Sequence, residues 1–417
     1  MTRTRLEPSS VECLCPSTLA VEVMASRRAW RPFADEIIAL LDALSQDLMA
    51  DPEARAHPDV IAFAFFCRRR NIDRLKAAWG HQVSDRLGRG VTFHIAPANV
   101  PLNFAYSLVC GLLAGNVCIV RAPSKPFAQT AVVCRVLGRV LASDAFAPLG
   151  GDLAIVRYQR DDDATAMFSA LCDVRLIWGG DETIREIRKI PIPPRAFDLT
   201  FADRHSLCVI RAAAYLEAAD PARTAQDFYN DTYLYDQNAC SSPRLIVWVG
   251  TPETIHAAKQ RFWSAVHACV QQRYTLQPIV AVDKLTALCR CAIERPDARQ
   301  VAMPDRLIDR IRIDSLDLDL DRYRCAGGSF LEYDVVVADG PAPSITEQFA
   351  GVAGAITRRC QTLSYIGFQP EELRGWVLAN RLTGIDRIVP VGRTAEFGLI
   401  WDGYDLISCL SRVCDIR

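Results

Sequence analysis

The 417-residue chain has almost no surplus of charge: 48 basic and 49 acidic side chains are well mixed, and the formal net charge is −1. No long-range field of either sign builds up to attract nucleic acid or an anionic membrane, so nucleic-acid binding is not expected. None of the 16 cysteines stands in a CxxC pair; the close pairs are Cys13 with Cys15 and Cys289 with Cys291. A chain of this size does not need disulfide staples, and the pattern reads as reduced thiols in a cytoplasmic protein with no metal expected. The first residues carry Arg3 and Arg5 but then Glu7 and Glu12, without the uninterrupted apolar core of a signal peptide. There is no full GxGxxG fingerprint, no internal repeat and no low-complexity tract.

A different absence requires a membrane check. Val91 to Val120 contains no Asp, Glu, Lys or Arg over 30 residues, longer than the roughly 20 that a spanning helix requires. Pro97, Asn99, Pro101, Asn103 and Asn116 interrupt it. A buried β-α-β unit accounts for the same residues: strand VTFHI, a Pro/Asn turn, a helix through VPLNFAYSLVCGLLAG and a strand NVCIV. No membrane span is therefore expected. Half of the residues are hydrophobic and 23% are charged, enough for a sizeable core and two or three domains.

What is present alternates. Phe33 to Leu48 has helical spacing, and Asp59 to Trp79 repeats it while carrying the basic run Arg68 to Arg70, read as a solvated face. After Arg121 the turn APSKPFAQT enters a helix over Thr130 to Leu141, whose N-terminus could receive an anion. Strands over Leu153 to Tyr158 and Val174 to Trp178 flank a helix near Ala164 to Leu171, and Gly179-Gly180-Asp181 opens another. Strand and helix in alternation imply a doubly wound parallel sheet. Beyond PIPPR lie strands FDLTF and SLCVI, two helical segments, and a strand over Leu245 to Val249. A long helix to Gln272 follows, then a helix over Thr286 to Ile293. Strands are expected near Ile311 to Ile313, Ser329 to Leu331 and Val335 to Val337, and an amphipathic helix closes the chain.

One polar loop in this series has the character of a nucleophile's position. FYNDTYLYDQNACSSPRLIVWVG runs from Asn, Asp and Ser residues through Cys240 into a buried strand, which places Cys240 on a turn. A thiol there can meet a ligand, and nearby backbone N–H groups can stabilise a thiolate or an oxyanion. The alternative is a cysteine that packs as a small hydrophobe, as most of the others do.

HIAPANVP at His94 to Pro101, GLLAGNVCIVRAPSK, IWGGDETI, DQNACSSP and the ending GIDRIVPVG...WDGYDLI, in this order, resemble the acyl-CoA reductases of the LuxC family, within the aldehyde dehydrogenase superfamily. The resemblance runs from about Asp51 to the C-terminus. It implies an α/β, aldehyde dehydrogenase-like fold, with a Rossmann-type cofactor domain over 1–207, an α/β catalytic domain over 208–390 and a C-terminal segment over 391–417 that closes a homo-oligomer. The active site is then expected between the two domains.

By the same resemblance Cys240 is the catalytic cysteine, and Asn99 supplies the amide of an oxyanion hole. Arg121, Ser124 and Lys125 stand where the superfamily meets the adenosine ribose, and Gly179 and Gly180 fall on its pyrophosphate turn. Arg121 departs from the usual lysine, and a guanidinium that can clamp a 2′-phosphate turns the expectation toward NADPH; solvated loop residues are the other reading. Phe201 falls where hydrolytic relatives carry the glutamate that activates water, so transfer to and from a thiol is the expected half-reaction. Asp203 and His205 are nearby candidates for proton transfer, a salt-bridged Asp203–Arg204 turn being the other and favoured reading. The implied activity is NADPH-dependent reduction of an acyl-CoA to an aldehyde. The alternatives are an acyl group taken from a partner acyl-protein synthetase or carrier protein, or a non-catalytic acyl-binding or scaffold protein.

Overall fold

The computed structural model describes residues 11–98, 100–159, 162–218, 220–317, 320, 326–338 and 344–415. The chain forms two units, one from 1–202 with 398–417 and the other from 203–397.

In the first unit the strands are β1 (Glu12–Cys15), β2 (Arg86–Gly88), β3 (Val91–Ile95), β4 (Val117–Arg121), β5 (Leu153–Arg157), β6 (Val174–Trp178) and β7 (Phe197–Phe201). Six of them make a sheet in the order β1-β5-β4-β3-β6-β7, in which β3 to β7 run parallel and β1 is antiparallel to β5. Chain order reverses at β3, so β3 and β6 are neighbours and their carboxyl ends, Ile95 and Trp178, flank the switch point where doubly wound sheets bind ligands. The uncharged stretch is the β3-helix-β4 unit, its helix Asn103–Leu113 buried on nearly every side. Gly111 lets this helix lie against the sheet: a Cβ there would come within 2.6 Å of Cys118 Sγ and 2.9 Å of His94 Nε2. Among the described residues no helix is long and apolar enough to cross a membrane.

The helical pattern over 59–79 resolves into Pro58–Cys67 and Arg69–Trp79, broken by extended backbone at Arg68, and Arg68 to Arg70 are exposed. The expected closing helix is only Leu406–Leu410, followed by a strand, Ser411–Val413, that pairs antiparallel with β2. Side chains stop it: Arg89 Nε donates to Cys409 O at 2.7 Å and Asn116 Nδ2 to Leu410 O at 2.9 Å, taking carbonyls that another helical turn would need.

The second unit contains β8 (His205–Arg211), β9 (Pro243–Gly250), β10 (Arg299–Val301), β11 (Asp309–Arg312), β12 (Ser329–Val336), β13 (Cys360–Ile366) and β14 (Arg387–Pro390). They form one sheet, β10-β11-β12-β9-β8-β13-β14, parallel except for β10. Alternate residues feed two cores: Leu245, Val247 and Val249 join Phe349, Leu373 and Trp376 in one, while Ile246 and Trp248 join Phe228, Phe262 and Trp263 in the other. Burial on both faces explains why β9 is an unbroken apolar run. β12 is continuous where the sequence suggests two short strands, because its charged interruption is satisfied inside. Buried Glu332 accepts from Trp248 Nε1 at 2.9 Å, Trp263 Nε1 at 2.7 Å and the Arg310 guanidinium at 2.8 Å.

Candidate active site

Cys240 lies on the turn that enters β9 and is half-buried. Helix Pro221–Thr232 and one tight turn, Tyr233–Tyr235, lead to Asp236 and Gln237, both left-handed at φ 49° and 59°. Such backbone costs of order 1 kcal/mol or more per non-glycine residue and persists only where surrounding structure enforces it. Gln237 supplies the enforcement. Fully buried, it donates from Nε2 to Pro243 O at 3.0 Å and Ser329 O at 2.8 Å, and its Oε1 accepts from Gly328 N at 3.1 Å and Ser329 N at 2.9 Å. The loop is thereby fastened to the start of β12.

Ser206 on β8 fixes the cysteine's own peptide, its Oγ donating to Cys240 O at 2.7 Å and accepting from Thr362 N of β13 at 3.1 Å. Ser242 Oγ donates to Asp231 O at 2.7 Å, tying the far side of the turn to the preceding helix. Asp231 is itself buried and accepts from Gly392 N at 2.7 Å and Thr394 N at 3.0 Å. Burial outweighs these two donors and pushes its carboxyl up to about 6. Exposure does not by itself distinguish Cys240, since Cys13, Cys269, Cys409 and Cys414 are also half-buried and Cys289 is exposed. Around Cys240 the loop is held by the side chains of Gln237, Ser206 and Ser242. In the core the thiols are held neutral, as at Cys208, where burial pushes the pKa up to about 12.

Asn99 lies outside the described residues. The cofactor candidates sit along the carboxyl edge of the first sheet. Arg121 ends β4; its Nη2 donates to Tyr158 O at 3.2 Å, its guanidinium lies 4.5 Å from the Tyr158 ring centre, and its Nε is buried without a hydrogen-bond partner. Ser124 is half-buried and Lys125 exposed, just before helix Ala128–Leu141, whose first turn carries no acidic residue. Gly179 and Gly180 follow β6, and Gly180 caps helix Asp181–Arg188. A Cβ on Gly179 would meet Thr183 Cγ2 at 3.3 Å. Asp181 and Glu182 in the first turn already complement that helix's dipole.

Phe201, the last residue of β7, stacks on Trp178 with ring centres 3.6 Å apart and planes 6° from parallel, and Tyr404 meets it edge-on. The Trp178 Nε1 proton goes to Ser107 Oγ at 3.0 Å, which lies 2.7 Å from His94 Nδ1, and His94 Nε2 lies 2.8 Å from Thr92 Oγ1. Desolvation lowers the His94 pKa to about 3, so this histidine stays neutral within the sheet. His205 is also buried, its Nε2 3.1 Å from Cys360 Sγ, and Arg204 pairs with Asp386. Gln237 was present in the quoted loop but carried no signal of its own. Ser206, Tyr404 and, within that loop, Asp231 take their places through contacts remote in sequence.

A family described as acyl-CoA reductase (LuxC) matches residues 67–286. The long-chain acyl-protein thioester reductase of Aliivibrio fischeri is 31% identical over 165 residues, and that of Vibrio harveyi 30% over 165 residues; each match covers 39% of this chain and 32% of the relative. The chain thus matches about a third of the relatives' own length. Among solved structures, an indole-3-acetaldehyde dehydrogenase in complex with NAD+ aligns with TM-score 0.64 at 12% identity, covering 92% of this chain and 84% of the other. The 1-pyrroline-5-carboxylate dehydrogenase of Thermus thermophilus aligns with TM-score 0.62 at 14% identity, covering 94% and 82%. These structures have the aldehyde dehydrogenase fold, and the family match takes in more than half of the chain: the protein belongs to the acyl-CoA reductase (LuxC) family.

Proposed function

We propose that the protein reduces an acyl thioester to the aldehyde with NADPH, using Cys240 as the nucleophile. The observation that carries this reading is the Cys240 turn, a half-buried thiol on a polar loop held by Gln237, Ser206 and Ser242. Cys240 Sγ attacks the thioester carbonyl, the C–S bond to the substrate's own thiol breaks, and that thiol leaves with a proton. The Asn99 amide and backbone N–H groups of the cysteine loop are the proposed donors to the tetrahedral oxyanion. When bound, the reduced nicotinamide supplies a hydride to the S-acyl carbon. Cys240 then leaves the resulting thiohemiacetal and the aldehyde departs. Per turnover, one thioester, one NADPH and one proton give one aldehyde, one thiol and NADP.

Residues of the first unit fit a dinucleotide. The switch point between β3 and β6, the lack of side chains at Gly179 and Gly180, and the unpartnered Arg121 Nε support binding along that edge. The acidic first turn of Asp181–Arg188 disfavours a second anion there. Lys125, Ser124 and the start of Ala128–Leu141 are therefore proposed, with Arg121, to hold the adenosine and its 2′-phosphate. Phe201 supports reduction over hydrolysis, since its place beside Trp178 is filled by an aromatic ring and not a carboxylate.

The proposed acyl donor is CoA. The names of the Aliivibrio and Vibrio relatives specify an acyl-protein, which favours a protein-borne acyl group as the second reading. Incubation with a radiolabelled long-chain acyl-CoA, without reductant, should label Cys240 through a bond that neutral hydroxylamine cleaves. NADPH should then release the label as aldehyde. Equal labelling of Cys240→Ala would refute the assignment; labelling from an acylated carrier protein but not from CoA would select the second donor.

A further inference from the structure

Helix Pro278–Glu294 turns a lysine inward. Lys284 is 1% exposed, and its Nζ lies 2.6 Å from Arg306 O, 3.1 Å from Leu307 O and 2.8 Å from Gly327 O. Three carbonyls match the three hydrogens of an ammonium group. Burying such a charge is costly unless acceptors replace its water, so the groups that it holds matter.

The acceptor that matters most is Gly327. The same peptide unit that accepts from Lys284 through Gly327 O donates through Gly328 N to Gln237 Oε1 at 3.1 Å. A cation on the carbonyl polarises that peptide and strengthens its N–H as a donor. Gly327 N also donates to Asp236 O at 2.8 Å. Both glycines are left-handed, at φ 60° and 82°, and have no room for a side chain: a Cβ would come within 2.2 Å of Val280 Cγ1 at the first and 2.1 Å of Tyr233 Oη at the second. The turn is wedged between the lysine's helix and the cysteine loop. Two tyrosines brace it. Tyr233 Oη donates to Leu307 O at 3.1 Å, a carbonyl shared with Lys284, and Tyr274 Oη donates to Asp236 Oδ1 at 2.7 Å.

We propose that Lys284 is a positioning residue for Cys240, acting through the Gly327–Gly328 turn on the left-handed pair Asp236 and Gln237, with Tyr274 as the second brace. The role rests on Cys240 being the nucleophile. It predicts that loosening the frame slows attack without weakening capture of the thioester, because misplacing a reacting group by a fraction of an ångström acts on the rate of the bound complex.

The test uses the full chain and single-turnover release of CoA from a long-chain acyl-CoA. Lys284→Met keeps the length of the side chain and removes its charge. It should lower the saturating acylation rate about tenfold or more while half-saturation stays within about twofold. Tyr274→Phe, which removes one hydroxyl, should lower the same rate about threefold and decides the matter if Lys284→Met does not fold. Wild-type acylation with both folded variants at the wild-type rate would overturn the positioning role alone, as would a folded variant whose only change is in half-saturation. Failure of wild-type Cys240 to acylate from both acyl-CoA and an acylated carrier protein would overturn both this role and the nucleophile assignment.

Discussion

Replacing Gln237 by Leu tests whether the cysteine loop is held as described. Leucine has a similar volume and makes none of the four hydrogen bonds that Gln237 makes to Pro243 O, Ser329 O, Gly328 N and Ser329 N. Leaving these backbone groups without a partner costs about 1 kcal/mol each at the low end of the usual range, or about 4 kcal/mol in all. Burying an apolar side chain in place of an amide returns about 1 to 2 kcal/mol. The expected net loss is about 2 to 3 kcal/mol, a large fraction of the roughly 5 to 15 kcal/mol typical of a folded protein. Trp248, Trp263 and Trp376 are buried in the second unit and report on its unfolding by fluorescence in urea. Gln237→Glu keeps the shape but cannot donate to two carbonyls when ionised, and should be at least as damaging. A change of less than about 0.5 kcal/mol in Gln237→Leu, the size of an ordinary surface substitution, would refute the claim that this residue holds the loop.

Four further outcomes are expected. With no carboxylate at Phe201, the acyl enzyme should persist in plain buffer and be discharged by added CoA or NADPH; rapid thiol-independent release of the acid, followed by chromatography, would show that another group activates water. Arg121→Ala should raise KM for NADPH about tenfold, equivalent to about 1.4 kcal/mol, and leave NADH little changed, whereas equal losses would give Arg121 a structural role through Tyr158. The folded-state pKa of Asp231, raised to about 6, means that its favourable contribution is complete below about pH 4 and is lost as pH rises through 6. Urea midpoints should therefore fall less between pH 4 and 6 in Asp231→Asn than in the wild type, and parallel curves would argue against the raised value. Glu332→Gln removes the charge that faces buried Arg310 and should cost about 3 kcal/mol by denaturant unfolding; a neutral result would mean that solvent or a rearranged partner compensates Arg310.

The sequence alone determined the elements whose signals are local. Apolar runs of strand length bounded by Pro, Gly and Asn marked β3, β4, β6 and β9, and helical spacing marked their connections, because period and turn chemistry act over a few neighbouring residues. Cys240 was legible for the same reason, as a thiol in a polar turn before a buried strand. The continuity of β12 and the short final helix were not, since each depends on partners far along the chain: Trp248 and Arg310 satisfy Glu332, while Arg89 and Asn116 take the carbonyls at Cys409 and Leu410. The support of the candidate site belongs wholly to this second kind. Ser206 meets Cys240 because β8 and β9 are neighbours, and Lys284 reaches Gln237 through a turn at Gly327 and Gly328. Only tertiary structure decides such contacts, because a hydrogen bond is set by the distance between atoms in the fold and not by the separation of residues along the chain.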